Sequence, residues 1–316
     1  MAIDTRLTAL LGIAHPLLLA PMDLVADGKL AAAVSTAGGF GLIGGGYGDE
    51  GWLERQFDAA GDTRVGVGFI AWSLARNPRC LDLALERKPA AVMLTFGDPA
   101  PHADTIKRSG ALLICGVQAV AQAREALACG ADIIVTQGAD GAGHACSRGT
   151  FTLVPEVVDL CGDVPVVAAG GIADGRGLAA ALMLGASGVL MGTRFYATVE
   201  SAGHPDAKAR IVSAAGDETI RGILFDIARR NVWPAPYSGR VLRNSFSQEW
   251  EGRETALLQR PQEAERYRQA REQGDFNVAA VIAGEAVGLV HDIPSAAEVI
   301  RNIVAEAEGR LGSFAQ

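Results

Sequence analysis

One feature constrains this chain more than any other. Over roughly its first two hundred residues, short and almost wholly apolar runs alternate with amphipathic stretches, which is the texture of repeated βα units. The apolar runs fall at 17–20, 41–45, 65–70, 91–96, 111–117, 132–137, 164–170 and 188–192. None shows the in-out alternation of a half-solvated strand, so each reads as a parallel strand buried on both faces. The segments between them favour helices: 28–37 is rich in Ala, and 119–129 carries Ala-Gln-Ala-Arg-Glu-Ala-Leu-Ala. Gly130, Gly162 and Gly185 each stand just past such a stretch, where a helix ends in a left-handed residue. Eight repeats favour closure into a (β/α)₈ TIM barrel over an open doubly wound sheet. With 316 residues and 49% hydrophobic content the chain can bury that core and carry an appended piece as well.

Beyond residue 201 the texture changes. Residues 205–275 are richer in Arg and Glu, contain the Trp233-Pro234-Ala235-Pro236 turn, and show helical charge patterning over 251–271. The expected organisation is therefore a barrel over 1–204, a small helical subdomain over 205–275, and a C-terminal helical segment over 276–316. That last segment carries an apolar helical pattern from 276 to 311, with Ser295 as N-cap after Pro294, and is expected to return to the barrel.

A net charge of -8 without any Lys/Arg cluster argues against a nucleic-acid partner and for a small-molecule substrate. The five cysteines lack CxxC spacing, which suggests reduced thiols and indicates no metal site. The N-terminus lacks a basic region followed by an apolar one, and no uncharged run reaches spanning length, so a cytoplasmic protein without a membrane partner is expected. A homo-oligomer is compatible with this composition.

In such a barrel, chemistry belongs to the loops that follow the strands. After the seventh run comes Ala168-Ala169-Gly170-Gly171-Ile172-Ala173-Asp174-Gly175, and after the eighth comes Met191-Gly192-Thr193-Arg194-Phe195. Glycines there let backbone N–H groups converge on an anion. One Gly-Gly pair would simply relieve a tight turn. Two such loops one repeat apart form the usual phosphate grip of this fold.

The loop after the sixth run, 136–146, places His144 on a glycine-lined segment. A lone histidine is usually a surface or capping residue. Of the five here, however, only His144 follows a strand at the catalytic face, where a group titrating near neutrality suits proton transfer. Cys146 shares the loop, yet only His144 and Arg148 could lower its pKa, so ordinary packing is the better reading. After the first run, Ala20-Pro21-Met22-Asp23 ends the strand with a proline and sets the soft Met22 side chain at the mouth, against a flat ring or simply in the core. Gly44-Gly45-Gly46 leaves space for a ligand or makes a flexible loop.

Together these loops resemble the nitronate monooxygenase family, once called 2-nitropropane dioxygenases, whose members are FMN-dependent barrels. The resemblance rests on Ala20-Pro21-Met22 with the Ala-rich stretch ending in Gly38-Gly39, on Gln137-Gly138 closed by Gly143-His144, on Ala169–Arg176, on Met191–Phe195 and on Glu200-Ser201. It continues weakly into Ala283-Gly284-Glu285-Ala286-Val287. The resemblance implies that Gly170, Gly171, Gly192 and Thr193 bind the FMN phosphate, with Ala169, Gly138 and Gly143 lining the cofactor. It also implies that Ala20, Pro21 and Met22 lie against the isoalloxazine, that Gln118 and Gln137 reach its polar edge or ribityl chain, and that His144 is the catalytic base. Two positions depart from the family pattern. Gly66-Val67-Gly68-Phe69-Ile70 lacks an Asn found in many members, and Cys115-Gly116-Val117-Gln118 lacks a Lys found in some.

The implied activity is oxidation of an alkyl nitronate or nitroalkane by molecular oxygen to a carbonyl compound and nitrite. A rival on the same scaffold is a reductase passing electrons from NAD(P)H through FMN to a quinone or an enoyl thioester, since such families use nearly identical loops. A non-redox aldolase or isomerase would need a Schiff-base lysine or paired carboxylates at strand ends, and the sequence offers neither clearly.

Overall fold

The computed structural model describes residues 3–314. Its central element is a parallel barrel of β1 (Leu17–Leu19), β2 (Leu42–Gly44), β3 (Gly66–Ile70), β4 (Ala91–Thr95), β5 (Leu112–Val117), β6 (Ile133–Gln137), β7 (Val166–Ala169) and β8 (Gly188–Met191). Neighbours follow chain order from β2 to β8, and β8 then pairs with β1. Closure runs through Phe40, just ahead of β2. Its N–H donates to the Leu17 carbonyl at 2.9 Å, and its carbonyl accepts from the Leu19 N–H at 3.0 Å.

Alternate residues of each strand serve two cores, which is why the strands read as unbroken apolar runs. Leu17, Leu19, Val92, Leu94, Leu113 and Ile134 face the surrounding helices. Leu18, Met93, Ile114, Ile133, Val135 and Leu190 fill the barrel interior. The helix Arg6–Leu11 closes that interior from below with Leu7 and Leu11. Gly130, Gly162 and Gly185 all take positive φ past their helices, as expected.

The long excursion enters after β8, and the last helix, Ala296–Phe314, packs on the helices Gly175–Met183 and Gly28–Thr36 to complete the ring. Ser295 caps it: its hydroxyl accepts from the Glu298 N–H at 3.2 Å while the Glu298 carboxylate accepts from the Ser295 N–H at 3.0 Å. The stretch 276–295 ahead of it forms no α-helix, contrary to its apolar pattern. Gly284, Gly288 and Pro294 interrupt it, and its apolar residues divide between two small cores: Val278 and Ala279 in one, Val281, Ala283, Val287 and Val290 in the other.

Residues 205–275 carry helices, as their charge patterning suggests; Pro261–Gln273 is laced with Arg–Glu pairs. They also carry two strands that the sequence reading lacks. Thr219–Gly222 and Ser238–Leu242 pair antiparallel, and the second pairs with Gly143–Ala145 from the loop after β6. In that register Gly239 stands opposite His144. The excursion thus holds the histidine loop directly.

Candidate active site

In the loop after β7, Gly170 and Gly171 turn with φ of 98° and 72°, conformations that L side chains rarely adopt. A methyl added at Gly170 would lie 2.9 Å from the Gly138 carbonyl oxygen and 3.0 Å from the Gly141 nitrogen. The loops after β6 and β7 therefore touch, with the Gly138 N–H donating to the Ala169 carbonyl at 2.9 Å and the Thr150 hydroxyl donating to the Gly170 carbonyl at 3.1 Å. Ala169 itself is a buried strand residue whose carbonyl is spent on those contacts. Gly192 lies close to the first loop: a methyl there would sit 3.5 Å from Met22 Sδ and 3.6 Å from Ala20 Cβ. Thr193 is buried, and its hydroxyl oxygen accepts from the Gly284 N–H at 3.0 Å, so the Ala283–Val287 segment does border the site. The hydroxyl proton of Thr193 stays available for an anion.

At the mouth, Ala20, Pro21 and Met22 are half-buried. A methyl on Gly68 would meet the Pro21 ring at 2.3 Å. At Gly68 itself, then, a side chain and the Pro21 ring cannot share the space. Gln118 is buried and donates to the Gln137 side-chain carbonyl at 3.3 Å, while its own Oε1 has no partner. Thr136 Oγ1, on the adjacent strand, is also buried and unpartnered. Leaving a buried polar atom unpaired costs about 1–3 kcal/mol. Thr136 shares the helix-facing side of β6 with Ile134, whereas the orphaned Gln118 Oε1 beside Gln137 fits the polar edge of a flavin nucleotide.

His144 is buried, with Nε2 2.9 Å from Asp226 Oδ2. The other carboxylate oxygen accepts from Arg229 at 2.6 Å. One face of the imidazole stacks on Trp233, and Phe96 meets it edge-on. Trp233 donates its indole N–H to the Tyr47 hydroxyl at 3.0 Å, and Tyr237 and Trp72 complete an aromatic wall. Burial pushes the His144 pKa below its ordinary value of 6.5; the Asp226 hydrogen bond and charge pull upward, and Arg229 and Arg221 add to the depression. Near neutral pH the ring is therefore uncharged and able to accept a proton.

The histidine loop is pinned from several sides. Gln137 Nε2 donates to the His144 carbonyl at 3.2 Å. Arg221 donates to the carbonyls of Ala139 at 2.7 Å and Gly141 at 3.0 Å, and also to Ser238; Arg240 donates to Ala139 at 3.0 Å. Gly143 is held at φ 64° opposite Arg240. Cys146 is partly exposed, and burial raises its thiol pKa, with Arg221 pulling the other way. The shift runs against a thiolate nucleophile.

The structure thus gathers the first loop, the glycine loops after β7 and β8, both glutamines and His144 at one end of the barrel. Sequence reasoning passed over Asp226, Arg229, Arg221 and Trp233. Asp226 had a usable signal, since Leu224-Phe225-Asp226-Ile227-Ala228 sets one carboxylate inside an apolar run. Trp233 was visible only as part of a turn.

The family model for nitronate monooxygenase matches residues 62–306. A nitronate monooxygenase of Neurospora crassa is 33% identical, covering 92% of this chain and 89% of its own. A Mycobacterium tuberculosis octahydroindene carboxyl-CoA dehydrogenase is 30% identical, covering 97% of both chains. Among solved structures, FabK from Thermotoga maritima superposes with a TM-score of 0.86 at 33% identity over 98% of each chain. No helix among the described residues is long and apolar enough to cross a membrane. The chain belongs to the nitronate monooxygenase family of flavin-dependent oxidoreductases.

Proposed function

We propose that this protein oxidises alkyl nitronates, and nitroalkanes after removal of an α-proton, to carbonyl compounds and nitrite with molecular oxygen. The observation that carries the reading is His144: buried, uncharged near neutrality and fixed by Asp226 against an aromatic wall. A ring in that state takes a proton, as a carbon acid requires.

The cofactor of this reading is FMN. Gly170, Gly171, Gly192 and Thr193 hold its phosphate, with Gly138, Gly143 and Ala169 shaping the cradle. Ala20, Pro21 and Met22 support one face of the ring, and the unpaired Gln118 Oε1 beside Gln137 meets its polar edge. When bound, the flavin supplies the one-electron chemistry that couples nitronate to oxygen. The protein's own part is to orient the substrate between the cradle and His144, to exclude water with Phe96 and Trp233, and to hold the abstracted proton on the imidazole.

The likeness to FabK and to a carboxyl-CoA dehydrogenase favours a second reading, NAD(P)H-driven reduction of an enoyl thioester or a quinone. One experiment separates the two. Holoenzyme supplied with an alkyl nitronate and oxygen should consume oxygen and release nitrite without nicotinamide. Rapid anaerobic bleaching of the flavin by NADH or NADPH, with no oxygen uptake on nitronate, would establish the reductase instead. His144→Ala should retain flavin and lose most turnover on a neutral nitroalkane; full turnover would remove His144 from the mechanism.

A further inference from the structure

The two nitrogens of His144 have different surroundings. Nε2 faces Asp226 Oδ2 at 2.9 Å and packs toward Gly239, where an added methyl would lie 3.4 Å away. The ring's one hydrogen bond among the described residues is that of Nε2, and Nδ1 takes no part in it. Asp226 is buried, and its other oxygen is bound by the buried Arg229 at 2.6 Å. A carboxylate held by a guanidinium on one oxygen can only accept on the other. The hydrogen between His144 and Asp226 therefore belongs to Nε2. The stack on Trp233, with centroids 3.5 Å apart, opposes the half-turn of the ring that would exchange the two nitrogens.

We infer that Asp226 is a positioning residue that commits neutral His144 to the Nε2–H tautomer and makes Nδ1 the proton-accepting atom. This rests on the reading of His144 as the base. In the step, the α-carbon–hydrogen bond of the nitroalkane breaks and the proton passes to the Nδ1 lone pair. The bonding electrons stay on the substrate as the nitronate. His144 becomes an imidazolium, and its bond to Asp226 becomes a charge-assisted ion pair that stabilises the developing positive charge. Asp226 lies on the helix Leu224–Ala228, and the other charged groups acting on the ring are Arg229 from the residue after that helix and Arg221 from the Thr219–Gly222 strand. Neither offers an acceptor, so Asp226 alone of the three can fix the tautomer.

The test begins with a measurement that needs neither turnover nor a variant. Holoenzyme labelled with ¹⁵N-histidine, with the His144 signals assigned by their loss in His144→Asn, should show a neutral ring protonated at Nε2. A proton at Nδ1 overturns the inference. Asp226→Asn replaces an obligate acceptor by an amide that can also donate. It should populate the other tautomer, lower turnover of a neutral nitroalkane by about a hundredfold or more, and move the acid limb of the pH profile to lower pH. Asp226→Glu should recover part of the loss while flavin content stays constant. An Asp226→Asn enzyme with the wild-type tautomer, pH profile and turnover overturns the role of Asp226. Full turnover in His144→Ala instead overturns the base reading itself, which keeps the two failures apart.

Discussion

The imidazole of His144 lies flat on the indole of Trp233, ring centroids 3.5 Å apart and planes 6° from parallel. The histidine comes from the loop after β6 and the tryptophan from the excursion after β8, so the contact joins the two parts of the molecule at the proposed catalytic group. Phe96, from the end of β4, meets both rings at steep angles of 76° and 81°. Trp233 is itself anchored by its bond to the Tyr47 hydroxyl, in the loop after β2. Four separate chain segments thus converge to fix one ring.

An aromatic pair of this kind contributes about 0.5–1.5 kcal/mol beyond the area it buries. If that contribution holds His144 in its working orientation, Trp233→Leu should lower kcat on a neutral nitroalkane by up to about tenfold. Trp233→Phe should lose less, and both should keep their flavin. Steady-state kinetics beside the flavin absorbance of each purified variant checks this, and an unchanged kcat in Trp233→Leu would show that the stack is mere packing.

Since burial lowers the His144 pKa, the acid limb of kcat/KM for a neutral nitroalkane should have its midpoint below 6.5. A preformed nitronate needs no base and should show no such limb. The same shift bears on stability. The ring is neutral in both folded and unfolded chains above pH 6.5, so its contribution is complete there. Below 6.5 the unfolded chain takes up a proton that the folded one resists, and stability falls until the folded pKa is passed. A limb centred above 6.5 contradicts this assignment of the group.

The barrel was legible in the sequence because parallel strands buried on both faces leave an unbroken apolar signature, and all eight runs became strands. The turns after β7 and β8 could be placed because their glycines mark where a strand gives way to a helix, with Gly170 and Gly171 at positive φ; that they grip a phosphate is the proposal. The partners of His144 were not, and the reason is physical. Asp226 and Trp233 reach the site through antiparallel pairing of Ser238–Leu242 with Gly143–Ala145, a contact across about a hundred residues that no local periodicity encodes. The strands of the excursion are short and carry Arg221, Arg240 and glycines instead of a clean alternation. Charge patterning over 251–271 drew the reading toward helices alone. At 276–295 apolar residues do recur, but the first of them enter one small core and the later ones another, and spacing alone cannot distinguish that from the stripe of one helix.

Gly170→Ala should unload the cofactor without unfolding the chain. The substitution puts a side chain at φ 98° and within 3.0 Å of the β6 loop backbone, a strain of about 1–3 kcal/mol placed on the proposed phosphate contact. Affinity of apoprotein for FMN, read by calorimetry, should weaken roughly tenfold or more. Gly162→Ala makes the control: its φ is 56°, but nothing lies within 4 Å, and it ends the helix Thr150–Cys161. It should lower the melting temperature slightly and leave FMN affinity alone. Equal flavin loss in both variants would mean that general stability, not the grip, governs binding.

Arg221 offers the most direct test of whether the excursion builds the site or only covers it. Its guanidinium, partly desolvated with a pKa lowered to about 10, ties the carbonyls of Ala139 and Gly141 to that of Ser238. A lysine retains the charge but lacks the planar fork that serves several carbonyls at once. Arg221→Lys should therefore loosen the histidine loop, seen as faster amide exchange over 138–146 than in the barrel strands, and lower kcat with little change in the fold. The loop also carries Gly138 and Gly143, so some flavin affinity should go with it. If exchange over 138–146 stays at the wild-type rate, Gln137 and Arg240 suffice to hold the loop, and Arg221 belongs to the cover rather than to the support of His144.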